Sequence, residues 1–121
     1  MPLAFLAHMV SREELGITHH AFDWLYGSKK FRRAPLDIAN RLVYVGLRDV
    51  DPAECYMIEE LGIQAFTMRH VRELGMEEVM KQALEHLGEC SIHLSVDIDA
   101  LDPSIAPETG TPVPNGLNEK E

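Results

Sequence analysis

Short apolar runs alternate with helix-patterned stretches between residues 42 and 98, and this alternation restricts the fold more than anything else in the chain. Residues 42–46 are β-branched and aromatic and read as a buried strand. Asp51-Pro52-Ala53-Glu54 then opens a helix to about Leu61, stopped by Gly62, with Ala53, Met57 and Leu61 as its inner stripe. Residues 64–67 form a second strand. Met76, Val79, Met80, Ala83, Leu84 and Leu87 recur at helical spacing up to Gly88. Residues 92–98 make a third strand. Strand, helix, strand, helix, strand in this order predicts an α/β fold with a parallel sheet and right-handed helix crossovers.

With 121 residues, the chain suffices for one small domain. Residues 1–40 read as a helix, 2–15, followed by an irregular segment, and 41–117 as the core with its loop. In the irregular segment, His19-His20 reads as solvated or hydrogen-bonded. Phe22, Trp24, Leu25 and Tyr26 are expected to fold back onto the core. Lys29, Lys30, Arg32 and Arg33 read as a solvated face or a subunit contact. The net charge of −9 argues against nucleic acid and against anionic membrane surfaces as partners. Cys55 and Cys90 share no metal or redox spacing, so a reducing compartment is expected. No signal peptide or membrane span is read.

The third apolar run ends in Ser95-Val96-Asp97-Ile98-Asp99-Ala100-Leu101-Asp102-Pro103, and the loop from Pro103 to Gly116 holds four of the chain's seven prolines. On a strand, Asp97 and Asp99 point the same way, with carboxylates roughly 6–7 Å apart. Such charges repel by under about 1 kcal/mol in water and by nearly 3 at an effective dielectric of ~20. A half-buried pair therefore calls for a counter-charge, and a divalent metal is a compact one. The other reading is a solvated acidic turn in which Asp97 or Asp99 caps nearby amides. Ligands of parallel sheets bind beyond the carboxyl ends of the strands. Asp49, Asp51 and Glu54 follow the first strand, and Asp97, Asp99 and Asp102 end the third, so both acidic groups are expected on one sheet edge. Asp102 reads as a brace for the loop. His93 reads as a satisfied core residue, Ser95 as a hydrogen-bond partner for a ligand carboxylate, and His70 and His86 as solvated. Asp51 as cap, Pro52 at the first helical position and Glu54 three residues after the cap also form a helix-start signal, which leaves capping open as their only role.

The acidic motif, continued by Pro107-Glu108-Thr109-Gly110-Thr111-Pro112, resembles the third metal-binding signature of the arginases, the binuclear-manganese ureohydrolases. Gly46-Leu47-Arg48-Asp49-Val50-Asp51-Pro52-Ala53-Glu54 resembles a segment of arginases proper. The likeness is close over residues 41–113. It implies part of a three-layer α/β/α fold and two Mn2+ ions per site, with Asp97 bridging both and Asp99 on one. It further implies that Asp51 and Glu54 meet the α-amino group of L-arginine and that Thr111 lines the pocket, where the alternative is a turn hydroxyl bonded to backbone. The products would be L-ornithine and urea. Family members are trimers or hexamers, and the location implied is cytoplasmic, with the mitochondrion as alternative. The Asp-x-His-x-Asp segment of the family occurs nowhere in the chain, and Pro114-Asn115 replaces a run ending in paired glycines. The expectation is therefore a partial arginase sequence, inactive by itself. The alternatives are another ureohydrolase such as agmatinase, and a non-catalytic truncated subunit.

Overall fold

The computed structural model describes residues 37–121. The helix read at 2–15, His19-His20, the aromatic group at 22–26 and the basic cluster at 29–33 lie outside the described residues. Ile38–Glu121 is one compact unit.

Two strands, β1 (Val43–Leu47) and β2 (Gln64–Thr67), pair in parallel, with Val43 opposite Gln64, Tyr44 opposite Ala65 and Val45 opposite Phe66. The register slips between Val45 and Leu47, where Gly46 stands at φ 82°. A side chain resists that conformation, so glycine is the residue that lets the strand bulge. The crossover is α2 (Pro52–Glu60), which follows a one-turn helix α1 (Ile38–Arg41) inside the segment expected to be irregular. Two further helices, α3 (Met68–Leu74) and α4 (Met76–Leu87), are separated by Gly75 at φ 84°.

The α/β parallel class read from the sequence is present, with three corrections. First, residues 92–97 form no strand. They are exposed, Leu94 at 74% and Val96 at 78%, and no ladder reaches them among the described residues. A strand is a pairing relation, and apolar alternation creates only the preference for one. Second, α2 buries no residue; Ala53 and Met57 face solvent and Leu61 is half-buried. Ala53, Met57 and Leu61 do recur on one side of the helix, as read, but that side is left open, with Tyr56 61% and Met57 43% exposed. Third, α3 is an element that the sequence reading passed over. Its start is a capping box in which the Thr67 amide donates to His70 Nδ1 (3.0 Å) and the His70 amide donates to Thr67 Oγ1 (3.5 Å).

Phe66, Met68, Val71, Val79 and Ala83 form the core, with Val43, Val45, Met76 and Leu117 packed on it. The α4 stripe read from the sequence thus supplies Val79, Ala83 and Met76. Neither histidine read as solvated is so. His70 caps α3 and meets the Phe66 ring edge-on at 6.1 Å, and His86 Nε2 lies 2.8 Å from the Ala39 carbonyl oxygen. No helix among the described residues is long and apolar enough to cross a membrane.

Candidate functional site

The acidic motif is folded as a turn. Asp97 is extended and caps a short 3-10 helix, Ile98–Ala100, by accepting from the Asp99 amide at Oδ1 (3.1 Å). Asp99 therefore sits inside the 3-10 turn, and the strand alternation used to align it with Asp97 does not apply. The capping expected of a solvated acidic turn is observed. Thr111 Oγ1 donates to Asp99 Oδ2 (2.8 Å), a charge-assisted bond that spans twelve residues of loop. Thr111 is thus neither bonded to backbone, as in the turn reading, nor without a partner. His93 and Ser95 are exposed along the unpaired stretch, so His93 is not a core residue.

Asp102 is the brace expected of it. Its Oδ1 accepts from Ser104 Oγ (2.7 Å) and the Ser104 amide (3.0 Å), and its Oδ2 from the Gly116 amide (3.1 Å). Its main chain continues the clasp, since the Asp102 amide donates to Leu117 O (2.9 Å) and the Leu117 amide to Ala100 O (2.8 Å). The Ser104 hydroxyl first, then the Ser104 and Gly116 amides, favour the carboxylate and lower its pKa from 3.8 to about 2. A group whose folded pKa is depressed stabilises the fold above its unfolded pKa and loses that effect as pH falls through the folded value. Hence the loop clasp of the native chain is expected to weaken between about pH 4 and pH 2. An Asp102→Asn variant should lose most of that slope, as followed by thermal midpoints across the same range. Parallel slopes for both chains would show that Asp102 is not the titrating brace.

At the end of β1, Asp49 takes a left-handed φ of 52°, which aspartate tolerates better than most residues, and the chain turns out of the sheet toward α2. Asp51 and Glu54 form the capping box read from the sequence. Both arms of the box are present but loose: the Asp51 amide donates to Glu54 Oε2 at 3.4 Å, and the Asp51 carboxylate faces the Glu54 amide without a tight bond. Both side chains remain exposed and negative at the mouth of the sheet. Burial pushes the Tyr44 hydroxyl pKa up, and the charge of Glu54 adds to this.

The residue that sequence reasoning missed is Arg48. From the end of β1 its guanidinium donates to the carbonyl oxygens of Asp99 (2.6 Å), Val113 (2.9 and 3.1 Å), Ala100 (3.3 Å) and Leu101 (3.3 Å). The only available signal was a cation at a strand end in an acidic chain. Through Arg48 the end of β1, which leads into Asp51 and Glu54, meets the turn that carries Asp97 and Asp99.

Among the described residues no three His, Cys, Asp or Glu side chains converge where a metal could be held. The carboxylates of Asp97 and Asp99 are hard oxygen donors of the kind manganese accepts. They are too few to hold it alone, and one oxygen of each already accepts a hydrogen bond.

The chain is 44% identical over its whole length to an arginase of Emericella nidulans, of which it spans 35%. It superposes on the crystal structure of an arginase from Bacillus subtilis with a TM-score of 0.72 at 36% identity, covering 99% of this chain and 39% of that one. On an Entamoeba histolytica arginase solved in complex with L-ornithine the TM-score is 0.70 at 30% identity, over 98% of this chain and 36% of that one. The chain thus spans about a third of the length of the relatives it matches. A sequence profile of the arginase family matches residues 20–121, the span that contains both acidic stretches and the Arg48 link between them, and on that ground the chain belongs to the arginase family.

Proposed function

We propose that the complete protein to which this chain belongs is an arginase, hydrolysing L-arginine to L-ornithine and urea. The observation that carries the reading is the acid turn itself. Arg48, at the end of the parallel strand β1 and three residues before Asp51, bonds the main chain of the turn that carries Asp97 and Asp99, in a chain of the arginase family. Asp97 and Asp99 would be two carboxylate ligands of a binuclear manganese centre, whose other ligands lie outside the described residues. The metal pair, when bound, supplies a water acidic enough to act as nucleophile at neutral pH.

The remaining residues bind and orient. Asp51 and Glu54 present negative charge to the α-amino cation of arginine, and their exposure leaves them free to do so. Capping fixes the Glu54 side chain over the first turn, so the two roles coexist. Thr111 donates to Asp99 Oδ2 and so touches one of the two carboxylates assigned to the metal. We read it as a pocket residue that also orients Asp99.

The test is manganese content and urea release by the complete purified protein, with arginine and agmatine compared as substrates. Tight manganese uptake and preference for arginine are expected. Preference for agmatine would reassign the protein to another ureohydrolase. Absence of both manganese and urea would leave the truncated, non-catalytic subunit as the surviving interpretation.

A further inference from the structure

The Arg48 guanidinium makes five hydrogen bonds, and its bonded partners among the described residues are all main-chain oxygens. Nε, one Nη1 N–H and both Nη2 N–H groups are committed, with the two Nη2 hydrogens shared among three carbonyls, so most of the fork is spent on the main chain. The carbonyls fall into two groups. Asp99, Ala100 and Leu101 lie at the end of the 3-10 turn, where unsatisfied carbonyls attract a cation. Val113 lies two residues after Thr111, on the far arm of the loop. One planar fork therefore clasps both arms, and the Thr111–Asp99 bond closes between them. The same arginine is fixed at its other end by β1, three residues before Asp51 and six before Glu54.

We propose that Arg48 is a positioning residue: it sets the acid turn of Asp97 and Asp99, with Thr111, relative to Asp51 and Glu54, by holding carbonyls of the turn. This rests on the arginase reading, which gives the two acidic groups their joint purpose. Lysine cannot replace the fork, because a compact ammonium has three donors on one nitrogen and cannot bridge carbonyls on both arms in the same way. Residues that hold a metal ligand in place from outside commonly change metal affinity 10–100-fold when removed.

The experiment uses the complete protein, stripped of metal, as wild type, Arg48→Lys and Arg48→Met. Free Mn2+ is followed by electron paramagnetic resonance during titration, and backbone amide exchange is mapped in parallel. Arg48→Met is expected to weaken manganese binding by about 10–100-fold, with Arg48→Lys in between. Exchange at the Leu101, Asp102 and Leu117 amides should quicken, while the Val79 and Ala83 amides in the core stay as slow as in the wild type. Unchanged manganese affinity in Arg48→Met would overturn the proposal. So would exchange that quickens in core and loop alike, since that marks a general loss of stability. A wild-type protein that takes up no manganese sinks the arginase reading itself. A wild-type protein that binds manganese, beside an Arg48→Met variant that binds it equally well, sinks only the role given to Arg48.

Discussion

Alanine at both Asp97 and Asp99 is expected to remove manganese from the complete protein and to lower urea release by on the order of a thousandfold. A metal in this role contributes several kcal/mol to the transition state, and each 1.36 kcal/mol is a factor of ten in rate. The fold should survive the change. Neither side chain belongs to the core, and each accepts a single hydrogen bond, at 3.1 Å for Asp97 and 2.8 Å for Asp99. A cap of this kind is worth about 1 kcal/mol. The informative pattern is therefore a near-normal thermal midpoint for the apo-protein beside lost metal and lost activity. If the double variant keeps its manganese stoichiometry and its urea output, the assignment of these carboxylates is wrong.

The second large effect is expected at Gly116. A Cβ there would stand 2.6 Å from the Asp102 nitrogen, 2.6 Å from the Leu101 carbonyl carbon and 2.7 Å from the Ala100 oxygen. All three are backbone atoms, so no side chain can swing aside to make room. Gly116→Ala must part the two arms of the loop. That breaks the Gly116 bond to Asp102 and the reciprocal bonds of Leu117 with Ala100 and Asp102. Overpacking of about 1–3 kcal/mol combined with hydrogen bonds of about 1 kcal/mol each makes a loss of roughly 3 kcal/mol or more reasonable for the clasp. Amide exchange at Asp102 and Leu117 reads it directly. Gly110 is the control: a Cβ there meets nothing within 4 Å, so Gly110→Ala should change stability by no more than about 0.5 kcal/mol. Equal behaviour of the two variants would contradict the tight approach at Gly116.

Local rules carried much of this structure. β1, β2 and α4 were visible because their residues repeat at the periods that a strand and a helix require, and Gly62 and Gly88 mark the stops. Asp102 was visible as a brace because an aspartate followed by Pro103 and Ser104 has its bonding partner two residues on. Asp51, Pro52 and Glu54 announced the start of α2 in the same way. What stayed hidden depends on distant neighbours. The Arg48 partners are carbonyls 51 to 65 residues away, and every residue has a carbonyl, so no side-chain pattern marks them. The third apolar run has the composition of a strand, yet Asp99 enters a 3-10 turn and the preceding stretch finds no ladder. α3 was hidden because its seven residues offer two buried side chains, Met68 and Val71, too few to declare a period.

Leu94 and Val96 have a bearing on how the polypeptide fares inside a cell. Holdases recognise bare greasy stretches of extended main chain, and unsatisfied strand edges also invite neighbours of the same kind to stack. Wherever residues 92–97 go uncovered, the steady-state abundance of the polypeptide is set by a race between burial of that stretch and its capture by quality control.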